Sequence, residues 1–346
     1  MEAIELLQKL ISIPSFSKEE NLTADAIQEF LNQKDIPVER MLNNVWAKNK
    51  CFNPNLPTIL LNSHHDTVKP NSSYTRNPFQ QEIIDGKLYG LGSNDAGGCL
   101  VSLLATFCNF YERENLRYNL IFSATAEEEI SGHNGIELIY PRLGEIDFAI
   151  VGEPTLMNLA VAEKGLMVLD CIATGKSGHA AREEGINVLY QAIDDIEWFR
   201  SYQFERVSEH LGKVKMTVTM INAGTQHNVV PDSCSYVVDI RITDEYSHEE
   251  VLNTIRTNIS STVTPRSMRS RSSSISLDHP IVRAGLALGR TTYGSPTSSD
   301  QALIPVTSIK IGPGDSARSH TADEFIYVDE IENGIELYCA MLEQIL

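Results

Sequence analysis

Three apolar runs in this chain, residues 58–63, 118–124 and 147–151, each stop where a metal-binding type of side chain begins. The first runs into His64-His65-Asp66, the second into Glu127-Glu128-Glu129 and the third into Gly152-Glu153-Pro154. Short runs rich in β-branched and aromatic residues read as buried strands. In open α/β sheets ligands collect in the crevice beyond the carboxyl ends of the strands, so the pattern predicts one shared site along one edge of a sheet. Two further stretches add donors of the same kind, Gly92-Ser93-Asn94-Asp95 and Arg318-Ser319-His320-Thr321. Two imidazoles and three carboxylates suit a pair of zinc-like ions, with one carboxylate left for acid/base work.

The remaining pattern organises the chain around that sheet. Helix-like apolar spacing over 2–11 and 22–34 flanks the turn-forming Ile13-Pro14-Ser15-Phe16-Ser17, and small residues over 96–105 predict a helix starting just after Asp95. Alternating strand and helix signals make this part a three-layer α/β/α domain. From about residue 166 the order changes to strand 166–173, helix 185–199, strands 213–222 and 235–242, helix 248–260 and a last short strand at 274–277. That β-α-β-β-α-β succession is the split ferredoxin-like arrangement, an α+β domain. Because His320 lies beyond it, the small domain reads as an insertion. Residues 1–165 and 278–346 are then the metal-binding domain, and 166–277 the inserted one. The basic, serine-rich stretch 265–273 is expected to be a solvated loop.

At 346 residues the chain has room for two such domains, and its 42% hydrophobic and 21% charged residues describe an ordinary globular protein. A net charge of −18 argues against nucleic acid or an anionic membrane surface as a partner. The cysteines at 51, 99, 108, 171, 234 and 339 contain no Cys-x-x-Cys pair, so reduced, packed thiols are expected rather than a disulfide framework or a thiolate zinc site. The amino-terminal Glu2 and Glu5 stand where a signal peptide is basic, and no apolar run reaches spanning length; the expected location is the cytoplasm.

Residues two apart in a strand share a face, so His64 and Asp66 point one way and His65 the other. Asp66 is then placed to accept the second ring proton of His64 or to shape the site behind it; the tripeptide alone also fits a polar surface turn, a reading that its place after a buried apolar strand disfavours. Asp95 stands among small residues, and its two oxygens suit it to bridge two cations; alone, it also fits a helix N-cap. Three adjacent glutamates repel one another when buried without cations. Residues 127–129 are therefore either an exposed acidic loop or a turn where one glutamate binds metal and another moves protons. Glu153 and His320 gain their weight from this company. His133, His210, His248 and His279 show no partner spacing and read as surface or packing histidines.

Together these five stretches, in this order, resemble the co-catalytic zinc family that includes acetylornithine deacetylase, succinyl-diaminopimelate desuccinylase, aminoacylase and glutamate carboxypeptidases. The resemblance runs from Leu7 to the C-terminus. It implies a three-layer zinc-peptidase catalytic domain with a ferredoxin-like lid and dimerisation domain, and a homodimer. It implies His64 and Glu153 as ligands of one ion, Glu129 and His320 of the other, and Asp95 as the bridge. Thr125-Ala126-Glu127-Glu128-Glu129 resembles the family's Thr-Ala-Asp-Glu-Glu, which makes Glu128 the general base, and Asp66 takes the place of the orienting aspartate. Lys164-Gly165 and Gly178-His179-Ala180-Ala181 also match, and His179 inherits a role in stabilising the oxyanion, often from a partner subunit. Asn228 and Arg241 resemble positions that contact substrate, and Arg241 with the Gly312-Pro313-Gly314 turn is a candidate for holding an α-carboxylate. Leu91 and Gly97 depart from the arginine and lysine frequent at those positions, while Gly92-Ser93-Asn94-Asp95-Ala96-Gly97-Gly98 resembles ornithine-type deacetylases.

The resemblance implies removal of an acyl group from an N-acyl amino acid, with N-acetyl- or N-succinyl-ornithine, substrates of arginine biosynthesis, as the first expectation. Desuccinylation of diaminopimelate and cleavage of di- or tripeptides are the neighbouring readings, and a metal-dependent binding protein without turnover is the reading from another class. Zinc is the expected metal, and these nitrogen and oxygen donors also suit cobalt or manganese.

Overall fold

The computed structural model describes residues 2–346. Two compact units are present: one runs up to Val161 and includes Ser274–Tyr293 and Ser299–Leu346, and the other is Ala162–Ser273 with Gly294–Ser298.

In the first unit the strand Thr58–His64 pairs in parallel with Asn119–Thr125 on one side and Phe148–Val151 on the other, and Ser308–Lys310 continues the parallel set. Asn44–Lys48 and Glu39–Met41 extend the sheet in antiparallel fashion. The register sets His64 opposite Thr125, and Asn62 opposite Val151, so three carboxyl ends reach the same edge.

Alternation along these strands feeds two cores, as the period of two requires. Ile59, Leu61, Leu120, Phe122, Phe148 and Ile150 pack with residues of the helices Glu2–Ile11, Asn21–Asn32, Gly98–Phe110 and Val328–Glu343. Leu60, Ile121, Ala149 and Val151 face the other way, onto Ile136, Ile139 and Leu143 of the helix Ile136–Leu143. A helix layer on each face makes this the α/β/α architecture. Each such aliphatic or aromatic side chain, fully withdrawn from water, contributes about 1.5–3 kcal/mol.

The helix after Asp95 starts later than its small residues suggest. A wide turn, Ser93–Gly97, comes first, and Gly98–Phe110 follows with Gly97 at its N-cap and no side-chain cap bond. Asp95 is thereby excluded as the cap, and its carboxylate is available for other work.

The main sheet of the second unit has four strands in the order Lys215–Ala223, Ser233–Ile242, Gly165–Thr174, Thr262–Pro265, each neighbouring pair antiparallel. With the helices Val188–Ser201 and His248–Asn258 the chain order is β-α-β-β-α-β. The fourth strand is Thr262–Pro265, not 274–277. Thr262-Val263-Thr264 is β-branched and puts Val263 into the core, whereas Ser273–Ser274 is only a two-residue strand. Residues 266–272 form a loop, and Arg266 makes a paired contact with both oxygens of Asp170, at 2.9 and 2.8 Å. Gly294–Ser298 also packs with this unit, outside the expected 166–277. Lys164 N donates to the Ser295 carbonyl at 3.1 Å, a backbone bond that no side-chain pattern announces. Among the described residues no helix is long and apolar enough to cross a membrane.

Candidate metal centre

His64 is the last residue of its strand, and its ring is almost wholly buried. Nδ1 lies 3.0 Å from the Asp66 carbonyl and 3.4 Å from Asp66 Oδ1, so that nitrogen carries the proton. Nε2 is buried and without a hydrogen-bond partner. Around it stand Asp95 Oδ1 at 3.4 Å, Glu153 Oε1 at 3.6 Å and Glu128 Oε2 at 3.9 Å. A second cluster adjoins: His320 Nε2 lies 3.0 Å from Glu129 Oε2 and 3.5 Å from Asp95 Oδ2. Asp95 thus has one oxygen toward each histidine, as a bridging carboxylate requires.

The loops carrying these donors are gripped by buried acceptors. Asp66 takes Ser17 Oγ at 2.7 Å and the backbone N–H groups of Glu128 at 3.0 Å and Glu129 at 3.2 Å, which fixes the short turn Glu128–Ile130. Glu127 enters that turn at φ 55 and points away, accepting Asn134 Nδ2 at 2.8 Å. Of the three adjacent glutamates, two face the histidines and one braces the loop. Glu20, fully buried, accepts the Glu127 N–H at 3.2 Å and Asn43 Nδ2 at 2.8 Å. Glu324 gathers N–H groups of the Asp95 loop. Behind the His64 strand, Asp300 accepts Asn62 Nδ2 and Thr125 Oγ1, both at 2.7 Å. Sequence reasoning missed Glu20, Glu324, Asp300 and Ser17. Their partners are distant backbone and amide groups, for which the chain carries no spacing signal.

Gly312 and Gly314 hold the Glu153 loop by backbone. Thr155 N and Met157 N donate to the Gly312 carbonyl at 3.1 and 2.9 Å, Gly312 N donates to Thr155 Oγ1 at 3.1 Å, and Leu156 N donates to the Gly314 carbonyl at 2.7 Å. Gly314 sits at φ +87, a conformation that favours glycine, and a Cβ there would press on Asn94 Oδ1 of the Asp95 loop.

The electrostatics fit bound cations. Burial pushes the Glu128 carboxyl well above the ordinary range; His64 draws it back only in part, and Glu153, Asp300 and Glu129 add to the rise. Glu153 is pushed up to about 8, again by burial first, with His64 opposing and Asp95 adding. His320 is raised to about 9 by its bond to Glu129. Carboxylates crowded this way are mutually unfavourable until positive charge is placed among them. His64, Asp95 and Glu129 offer donor atoms within 4.8 Å of one another, as do His64, Glu128 and Glu153. Hard carboxylate oxygens with imidazole nitrogens form a donor set for zinc, cobalt or manganese.

In the second unit, Gly178–His179 pairs with Val229–Val230, and Ala180 N donates to the Asn228 carbonyl at 3.0 Å, which makes His179 and Asn228 neighbours. His179 Nδ1 accepts the Ala181 N–H at 3.1 Å, leaving Nε2–H as an outward donor. Arg241 is half-buried and paired with Asp239, at 2.9 and 3.2 Å. It stands opposite Lys215 in register.

Fold and donor set together define a metal-dependent hydrolase of amide bonds. Residues 60–344 match Peptidase family M20/M25/M40, and the chain belongs to that family. Solved structures with the same fold include aminopeptidase PepT from Bacillus cereus, with a TM-score of 0.81 at 19% identity over 99% of this chain and 98% of that one. A tripeptidase from Staphylococcus aureus matches with a TM-score of 0.75 at 19% identity over 99% and 97%. The YXEP protein of Bacillus subtilis, described as a dinuclear metal-binding peptidase, matches with a TM-score of 0.76 at 16% identity over 99% and 96%.

Proposed function

We propose that this protein is a dinuclear amidohydrolase that removes the acyl group from an N-acyl amino acid, with N-acetyl- or N-succinyl-ornithine as the preferred substrate. The observation that carries the two-metal reading is the unpartnered Nε2 of His64 ringed by Asp95, Glu153 and Glu128, with Asp95 shared toward His320. His64 and Glu153 would hold one ion and Glu129 and His320 the other, with Asp95 placed to be shared. When bound, such ions polarise the amide carbonyl and acidify water. Glu128 takes the proton of the attacking water and delivers it to the leaving nitrogen, so its side chain returns to its starting state with each turnover. Asp66 keeps the turn that carries Glu128 in place. His179, through its Nε2–H, stabilises the oxyanion of the tetrahedral intermediate, assisted by the neighbouring Asn228.

The amino-acid half is anionic, and Arg241 is the residue assigned to it. Lys215 stands across from it, and Lys164 lies close enough that burial, Lys215 and Arg241 push its ammonium down, so this part of the unit is cationic. Gly312 and Gly314 contribute backbone beside the Glu153 loop. The ornithine preference rests on the resemblance of Gly92-Ser93-Asn94-Asp95-Ala96-Gly97-Gly98 to ornithine-type deacetylases. The second reading is a tripeptidase or aminopeptidase, favoured by the names of the similar structures. The partner is a second copy of the chain, joined through the second unit, and the location is the cytoplasm.

The test is hydrolysis of N-acetylornithine, N-succinylornithine, N-succinyl-diaminopimelate and a set of di- and tripeptides, with zinc or cobalt supplied and a chelator control. Chelator-sensitive release of ornithine is expected. Cleavage of peptides alone would replace the substrate assignment, and Glu128→Gln with near-normal turnover would remove the general-base role.

A further inference from the structure

Glu324 is 2% exposed and follows shortly after His320 on the same segment. Its two oxygens take three backbone N–H groups from the Asp95 loop. Gly92 N donates to Oε2 at 3.1 Å, while Asn94 N and Asp95 N donate to Oε1 at 2.8 and 2.9 Å. The contact is returned through the backbone, since Gly90 N donates to the Glu324 carbonyl at 3.0 Å. The loop needs such a collector. Gly92 is at φ 75, and Asp95, at φ −114 and ψ 98, is non-helical, so these N–H groups precede any regular helix that could absorb them. Buried N–H groups in irregular backbone must find an acceptor, and here one side chain serves three.

We propose that Glu324 is a positioning residue that sets Asp95 between His64 and His320 before any cation arrives. The inference rests on the dinuclear reading above. The two carboxylate oxygens of Asp95 already point at the two histidines, at 3.4 and 3.5 Å, and its main-chain N is held by Glu324. One short stretch of chain therefore supplies a donor, His320, and fixes the bridge that this donor shares. Two acceptor oxygens are needed because the three donors approach both of them. Glutamine offers a single carbonyl oxygen and sets an NH2 group against an N–H on the other side, leaving at least one buried donor unmatched.

The experiment compares wild type and Glu324→Gln after metal stripping, using zinc titration calorimetry, the absorption spectrum of the cobalt(II)-loaded protein and steady-state kinetics. The variant is expected to bind the second zinc about tenfold or more weakly, to show an altered cobalt spectrum, and to lose kcat by about tenfold or more with KM changed less than about threefold. Unchanged zinc affinities, spectrum and kcat would overturn the proposal. Amide hydrogen exchange of the metal-stripped wild type decides the matter should the variant not fold. Slow exchange at Asn94 and Asp95 is expected without metal, whereas fast exchange that becomes slow only on adding zinc would overturn the preset bridge. Wild type that binds no zinc would sink the dinuclear reading itself, and the exchange data would still report whether Glu324 holds the loop.

Discussion

The carboxylate of Asp66 accepts the backbone N–H of Glu128 at 3.0 Å, and through its other oxygen that of Glu129 at 3.2 Å. One buried side chain thus sets the turn that presents both the proposed base, Glu128, and the proposed metal donor, Glu129. Burial alone would raise the Asp66 carboxyl, yet the His64 imidazole, Ser17 and the Glu128 N–H outweigh it and hold the group below its usual value. Ionised Asp66 is consequently the working form.

Asp66→Asn exchanges one acceptor oxygen for an NH2 that faces an N–H. Leaving a buried donor unsatisfied costs about 1–3 kcal/mol. The variant should unfold at lower denaturant concentration and lose about 10–100-fold in metal affinity or kcat, as loss of a group that orients ligands does. Equilibrium unfolding, calorimetry and kinetics on the same preparation check this, and wild-type values in all three would refute the orienting role.

His65 points away from the centre, between Thr23 Oγ1 and Asn43 O, both at 2.8 Å. Burial pushes its pKa from 6.5 down to about 4. Between these values the unfolded chain binds a proton that the folded ring refuses. The contribution is therefore full above about pH 6.5 and is lost as pH falls toward about 4. Denaturant midpoints of wild type should drop across that window, and His65→Gln should show a shallower drop. Parallel curves for the two proteins would show that His65 does not titrate in this way.

The proposed pairing of two copies has a surface in the second unit. Lys215–Ala223 is an outer strand of its sheet, with Met220 64% and Ile221 55% exposed. On the helix Val188–Ser201 that packs on it, Tyr190 is 69% and Ile193 55% exposed. An outer strand flanked by apolar side chains is a template for pairing. Light scattering should report a dimer, and Ile193→Asp with Met220→Lys should give a folded monomer. A wild-type monomer at micromolar concentration with full activity would exclude the shared arrangement.

The five proposed donors stand out in the sequence because the chain marks them twice, by residue type and, for three of them, by a place at the ends of apolar runs. The parallel register of Thr58–His64 with its neighbours then makes sequence order into proximity. The bracing residues carry no comparable mark. Glu324 and Glu20 are single glutamates whose partners are main-chain N–H groups far along the chain, and nothing local distinguishes them from solvent-facing glutamates. Thr262–Pro265 escaped notice for a related reason. It is four residues long and adjoins a basic loop, and its pairing to Gly165–Thr174 is a tertiary choice rather than a periodic signal. The β-α-β-β-α-β succession is found despite these local misses because the helix and strand periods over 165–258 are strong.

The most direct test of the central claim is anomalous scattering from crystals loaded with zinc. Two peaks about 3.5–4 Å apart are expected. One should lie against His64 and Glu153 and the other against Glu129 and His320, with Asp95 touching both. A single peak, or peaks away from Asp95, would contradict the account.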